Sequence, residues 1–479
     1  MKTKWNFLLG MLACILMISS QSKVVYAESY TTEDGKFVYS CDYYEGIATI
    51  HKYIGEDTVV EFPTEIDGCK VTTISNIGRR EGITKIIIPD TVTKIGTGAF
   101  ALMEDLVEVE MSDNIEVVGG KAFYECTALE SISFPATIKE FGVYKSGWGS
   151  SAYGVFEGCS ALKKVEFAED AEVKIIATSM FRLCYALENV TLPKGLQEIG
   201  DFAFSETGIK SIELPNVVSI GKQAFSYCKA LEKVQFGKKL EIICSEAFKS
   251  TGIVTLKLPK NVCVRESAFS KCDNLVSVVI SKKVDLWAHA FDSCSNLEEV
   301  IIKPGVTEID IWTFPNSGLR KIVIPDTVSK IGKYAFYKCE NLEQIVFLGV
   351  PEQIEGIDEG SKVRVYGYKD TIVQEYAKQQ GVRFIALNCP TKVKATSNKG
   401  QVELTWQGVD GVKEYTIYRS TSENGKYKKQ KTVTGNSYTD KNVKLGKTYY
   451  YRIAIDYADL DGIKISGVMS DKVSVEIKK

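Results

Sequence analysis

The chain has 479 residues, with 59 basic and 61 acidic side chains for a net charge of −2, and 44% of its residues are hydrophobic. No excess field of either sign exists to favour nucleic acid or an anionic membrane, and the length allows a large core divided into two or three units. Thirteen cysteines would suggest a disulfide framework in an exported chain, but their spacing argues otherwise.

Residues 1–27 read as a signal peptide. Lys2 and Lys4 supply the charge, Phe7 to Ile18 the apolar run, and Val25-Tyr26-Ala27 a small-residue cleavage site near Ala27. Apolar residues continue past Cys14 through Ile15 to Ile18, which argues against lipidation there. No later stretch approaches the roughly 18 apolar residues that span a bilayer, so a secreted or cell-surface protein without a membrane span is expected.

Residues 28–80 hold short β-rich runs, Phe37-Val38-Tyr39, Ile47 to Ile50, Val59 to Phe62 and Val71 to Ile74, separated by Gly and Asp. They predict hairpin strands that cap the structure to follow, whose open end would otherwise expose its core and an unpaired strand edge.

From residue 81 to 350 one phrase recurs. Phe100, Phe123, Phe156, Phe181, Phe204, Phe225, Phe248, Phe269, Phe291, Phe314 and Phe336 follow one another at 21 to 25 residues, with a single interval of 33. A period in the low twenties lies in the leucine-rich-repeat range. Such a unit cannot bury its own apolar face, so its neighbours stack into a solenoid, here of about 11–12 coils. Within each copy, Leu-x-x-Ile-x-Leu ends in the period-two alternation of a strand, and Gly-x-x-Ala-Phe leads into a turn. Pro89, Pro135, Pro193, Pro215, Pro259 and Pro325 end the pairing after the strand. Residues 145–154, with Trp148, form the insertion behind the long interval and leave the solenoid surface.

Cys126, Cys159, Cys184, Cys228, Cys272, Cys294 and Cys339 each lie three residues after a marker phenylalanine. They form one column up the stack, shared with Thr207, Thr251 and Ser317. Side chains of stacked strands run parallel and hold their β-carbons wider than a disulfide allows, so the column predicts buried, unpaired, structural thiols. Outside it, Cys41 and Cys69 are the pair most suited to bridge. No Cys-x-x-Cys occurs anywhere, so zinc and thiol-redox motifs have no support.

Residues 351–388 read as a C-terminal cap. Val363 to Tyr366 form a last strand, and Thr371 to Gln380 carry Ile372, Val373, Tyr376 and Ala377 at helical spacing, closed by Gly381. In residues 389–479 the phrase vanishes. Val402 to Trp406, Tyr415 to Arg419 and Tyr449 to Ile455 alternate as strands, with Asn424-Gly425 and Asp461-Gly462 as turns and Trp406 as the core anchor of a β-sandwich.

The phrase Ile95-Gly96-Thr97-Gly98-Ala99-Phe100 and its successors, with Ile66-Asp67-Gly68-Cys69-Lys70-Val71-Thr72-Thr73-Ile74, resemble the BspA-like leucine-rich-repeat proteins over roughly residues 40–387. Val402 to Trp406 and Thr448 to Ile453 resemble a fibronectin type III domain. The first resemblance implies a secreted or surface bacterial protein, in several members an adhesin for host proteins or other cells. The second implies a spacer or binding module, often attached to carbohydrate-active proteins. The fold class is therefore mainly β: a leucine-rich-repeat solenoid followed by a fibronectin type III β-sandwich.

Chemistry leaves little trace. His51 and His289 are far apart, and no His-Glu-x-x-His, phosphate-cradling glycine loop or Gly-x-Ser-x-Gly occurs. Asp459-Leu460-Asp461-Gly462 lacks the other ligands of a calcium loop. No catalytic residue, metal or cofactor is expected. Binding leaves a fainter mark: one outward residue between the last two inward residues of each strand makes a row that ends in apolar Val279, Ile301, Val323 and Val346. An exposed ridge of this kind marks partner sites, unless the later coils or the C-terminal domain cover it. A second outward row, with Lys163, Glu188, Lys210 and Glu232 and later Glu298, Arg320 and Glu343, pairs its charges between coils. The expected partner is an extracellular protein or glycan. The main reading is an adhesin; the alternatives are a polysaccharide- or wall-binding accessory and a non-catalytic spacer.

Overall fold

Each marker phenylalanine sits at a corner where the backbone must reverse around a large ring and still bond the next coil. The computed structural model describes residues 29–142, 154–357, 361–410, 412–460 and 463–478, with backbone only for 457–460 and 463–466. The signal peptide, the insertion with Trp148 and the Asp459–Gly462 turn lie outside the described side chains.

A typical coil contains two short strands and a corner. Ser211–Leu214 pairs in parallel with Lys233–Phe236 of the next coil, and Ser219–Ile220 pairs with Ile242–Ile243. The strand alternation turns Ile212 and Leu214 inward and leaves Ser211 and Glu213 exposed. At the corner a third ladder forms: the Phe204 N–H donates to the Ala224 carbonyl at 2.7 Å, and the Phe225 N–H to Ala247 at 2.8 Å. Positions two before and two after the phenylalanine adopt the left-handed conformation, as Phe202 and Glu206 or Gln223 and Tyr227 do. The cost of that conformation is offset because the reversal lets every corner N–H reach a neighbour.

The rings meet inside. All ten consecutive pairs from Phe100 to Phe336 have centroids 5.1 to 6.0 Å apart, and all eleven are buried. Beside them runs the thiol column. Cys126, Cys159, Cys184, Cys272, Cys294 and Cys339 each place Sγ 3.0 to 3.2 Å from the carbonyl oxygen of the preceding coil's phenylalanine, and Cys228 does so at 2.9 Å. Thr207 and Thr251 instead donate to the phenylalanine of their own coil. The column therefore demands a small side chain that can donate, which Cys, Thr and Ser share.

The solenoid has about 14 turns, more than the 11–12 counted from the phenylalanine. The extra turns lack the marker. Val59–Glu61, within the stretch assigned to the N-terminal cap, already pairs in parallel with Lys85–Ile87. At the other end Arg364–Gly367 is not the last strand, because Arg383–Ala386 pairs in parallel beyond it. Between those two lies the helix Ile372–Gln379, which buries Val373 and Ala377. It stops where Gly381 takes a φ of +66° and its N–H bonds the Lys378 carbonyl at 3.2 Å.

The N-terminal cap is the antiparallel hairpin Phe37–Asp42 with Ile47–Tyr53. Its second strand turns parallel to Cys69–Ile74 and so starts the stack. Cys41 and Cys69 are free thiols, contrary to the bridge suggested by the sequence. The Cys41 thiol is instead directed at the Ile66 carbonyl, 3.6 Å away. Burial first, and the Cys69 thiol beside it second, push its pKa up to about 12.

Residues 391–476 form two antiparallel sheets. Gln401–Gln407 lies between Thr391–Asn398 and Ser437–Asp440, while Glu414–Ser420 lies between Lys428–Thr434 and Thr448–Leu460. Trp406, Ile417, Tyr451 and Ile453 fill the space between the sheets. Near the start of the long strand the Tyr449 hydroxyl accepts the Lys444 N–H at 3.1 Å, tying the corner to the core. This unit does not stand apart from the solenoid. Its apolar cluster includes Val346 and Tyr366 of the last coils, and the Tyr368 hydroxyl accepts the Met469 N–H at 3.1 Å while donating to the Leu348 carbonyl at 3.3 Å.

Candidate functional site

The broad faces of the stack are built from strands, and the strand pleat decides which side chains water can reach. On the face that carries the longer strands, Glu213 pairs with Gln235, Lys257 with Val279, Val279 with Ile301, Ile301 with Val323 and Val323 with Val346. The outward row is thus in register. Its burial changes along the stack: Glu213, Gln235 and Lys257 are exposed, Val279, Ile301 and Val323 are half-buried, and Val346 is fully buried.

Val346 must therefore be removed from the ridge read in the sequence. It belongs to the cluster shared with Leu387 of the cap and with Leu404 and Trp406 of the C-terminal unit, and Val323 packs against the edge of that cluster. The open part of the row begins at Ile301 and runs toward the N-terminus.

There the face sinks into a trough of about 770 Å³ that crosses three coils, lined by Gln235, Lys257 and Val279 of the outward row and by Lys238 and Lys260 of the turns that follow. Gly237 shapes it. Other coils place Pro215 or Pro259 at this position; at Gly237 a Cβ would collide with the Pro215 carbonyl. Of the trough residues only Val279 was singled out from the sequence as a binding residue. Gln235 and Lys257 share its strand row, while Gly237, Lys238, Lys260 and Asn261 follow the strand, in the turn, where no alternation marks them.

The second outward row pairs its charges in part, since Glu232 and Glu298 make no ion pair among the described residues. Lys163 meets Glu130 at 3.1 Å, Lys210 meets Glu188 at 2.8 Å, and Arg320 meets Glu343 at 3.4 Å. These exposed pairs contribute at most about 1 kcal/mol each.

At the opposite corner, His289 stacks on Trp312 at 5.6 Å, and Trp312 meets Tyr334 at 4.6 Å. His289 is thus a turn residue with a φ of +61°, held in an outer aromatic row. His51 lies 2.7 Å from the Ser40 hydroxyl across the cap hairpin, and burial lowers its pKa. No carboxylate bonds His51 among the described residues. In the same residues no group of three or more His, Cys, Asp or Glu is placed to hold a metal ion, and no helix is long and apolar enough to cross a membrane.

The profile of the BspA-type leucine-rich-repeat region matches residues 78–145, 151–276 and 263–361, in six copies and over more than half of the chain. The chain belongs to that family. Among solved structures, a leucine-rich-repeat protein from Bacteroides ovatus is 24% identical with a TM-score of 0.54, covering 74% of this chain and 98% of its own. A leucine-rich cell-surface protein from Faecalibacterium prausnitzii is 23% identical with a TM-score of 0.45, over 74% of this chain and 94% of its own. A stretch of 75 residues is 43% identical to part of an amylopullulanase from Thermoanaerobacterium saccharolyticum. That match covers 15% of this BspA-type chain and 6% of the relative, so the chain spans under a tenth of the curated relative's length.

Proposed function

We propose that this BspA-type protein is exported and acts without catalysis, as an adhesive surface for a component of a host or neighbouring cell. The residues 391–476 serve as a type III spacer docked on its last coils. The observation that carries this reading is the outward row itself. It is in register from Glu213 to Gln235 and again from Lys257 to Ile301, and is open along both stretches, while the side chains with chemistry to offer are absorbed by the coils. Family membership supports the placement at the cell surface, and the order of the two antiparallel sheets, with Tyr449 bonded back to Lys444, supports the type III reading.

Beads coated with the full chain test it. They should adhere to cultured cells more than beads coated with a Val279→Glu/Ile301→Glu variant of unchanged melting temperature. Equal adhesion of the two would remove the ladder face from the function.

A further inference from the structure

The trough has a charge pattern that stacking does not explain. Elsewhere on the solenoid, side chains of one coil meet opposite charges of the next, as in Lys139 with Glu116, Lys194 with Glu169 and Lys330 with Glu308. Along the turn that follows the ladder strand, the early coils carry Asp90 and Asp113, and a late one carries Asp326. Between them the same turn position holds Lys238, Lys260 and Lys282 on three successive coils, each 22 residues after the last.

All three are exposed, as are Lys233 and Lys257 on the strands between them. None of the five makes an ion pair among the described residues, and no acidic side chain lines the trough. Ammonium groups on coils about 4.8 Å apart sit well within the roughly 8 Å screening length of physiological salt, so they repel one another. A folded surface that keeps such an array without counter-charges is suited to an anion that arrives from outside.

The shape narrows the class of ligand. The trough runs across coils, so a ligand must be extended and carry anionic groups repeatedly along its length. Its other polar groups, Gln235, Thr255, Asn261 and Ser281, offer amide and hydroxyl partners of the kind that bind sugar hydroxyls. Its one aromatic residue, Phe236, is half-buried, so the exposed stacking platforms that hold single-stranded nucleic acid are missing here. We infer that the trough lined by Lys238 and Lys260, with Lys282 continuing their row on the next coil, binds a linear acidic polysaccharide, its carboxylate or sulfate groups held by the lysines of successive coils. This rests on the reading of the ladder face as an adhesive surface, and it names what that surface holds.

The test uses the full chain and four probes: heparin as a sulfated glycan, polygalacturonate as a carboxylated one, dextran as a neutral one, and oligothymidylate as a nucleic-acid polyanion. At least one acidic glycan should bind, more weakly as salt rises, while dextran does not. The Lys238→Glu/Lys260→Glu/Lys282→Glu variant should lose at least about tenfold in affinity, and the corresponding Gln variant should lose less. Removing three lysines from the C-terminal unit, in Lys394→Glu/Lys399→Glu/Lys428→Glu, should change it less than about twofold, because none of them lines the trough.

Failure of both acidic glycans to bind, equal losses in the two triple-Glu variants, or oligothymidylate binding as tightly as the glycans would each overturn the assignment. Bead adhesion that survives both the Lys238/Lys260/Lys282 change and excess heparin, but is lost in the Val279→Glu/Ile301→Glu variant, would overturn the glycan assignment and leave the adhesive face standing.

Discussion

The Cys184 thiol lies 3.1 Å from the carbonyl oxygen of Phe156, one coil earlier, and both residues are fully buried. The same carbonyl already accepts the Cys159 N–H of its own coil at 3.1 Å, so the thiol fills its second lone pair. Replacing Cys184 by Ala removes both donor and sulfur volume, while replacing it by Ser keeps the donor and removes mostly volume. Urea unfolding should place Cys184→Ala about 1 kcal/mol below Cys184→Ser. Equal midpoints would mean that the sulfur acts only as filler.

Phe225 sits between Phe204 at 5.2 Å and Phe248 at 5.1 Å, with rings within 8° of parallel. Truncation to Ala opens a cavity in the middle of the stack and should cost about 3–5 kcal/mol. Because a solenoid's stability is carried by its interfaces between neighbours, the loss should also split unfolding into two transitions. A single transition of unchanged midpoint in calorimetry would show that this ring contributes little.

The ladder of rings and the thiol column were legible in the sequence because a period near 22 residues returns the same residue type to the same place on every coil. Where that repetition ends, legibility ends with it. The coils at Val59–Glu61 and Arg383–Ala386 lack the corner phenylalanine of the repeat, so in the sequence they read as caps. Cys41 and Cys69 come together, but Cys41 is held by the Ile66 carbonyl, a contact that only the hairpin geometry creates. The fate of Val346 depends on residues 391–476 folding back onto the last coils. The bond between Tyr368 and Met469 joins positions 101 residues apart, which no local pattern announces. The lysines at 238, 260 and 282 did follow the repeat, but at a turn position that the strand alternation does not mark.

Thiol reactivity should follow burial. Cys228 is fully buried and its pKa is pushed up to about 11; burial also drives those of Cys159 and Cys294 well above the ordinary thiol value. Cys244, Cys263 and Cys389 are half-buried and raised as well, chiefly by burial. A raised pKa means less thiolate at a given pH, and thiolate is the form that reacts. At about pH 8, below the ordinary thiol value, iodoacetamide should label Cys244, Cys263 and Cys389 slowly, and faster as pH rises, with Cys41, also half-buried and raised to about 12, slower still. The column should stay unlabelled until the coils open. Mass spectrometry finding column cysteines modified first in the native protein would contradict their place in the core.

Val279 and Val346 occupy the same column of the ladder three coils apart in chain order, yet water reaches one and not the other. Val279 is half-buried at the trough, and Val346 is enclosed with Tyr366 and Leu387 against the C-terminal unit. A lysine at 279 can extend into solvent, so Val279→Lys should change stability by no more than about 0.5 kcal/mol. A lysine at 346 would be buried without a partner and should cost at least about 3 kcal/mol. Most of that cost is avoided if the C-terminal unit lifts away, so Val346→Lys should become sensitive to limited proteolysis near Cys389 before the solenoid itself unfolds. If the two variants melt alike and are cut alike, the C-terminal unit does not rest on Val346.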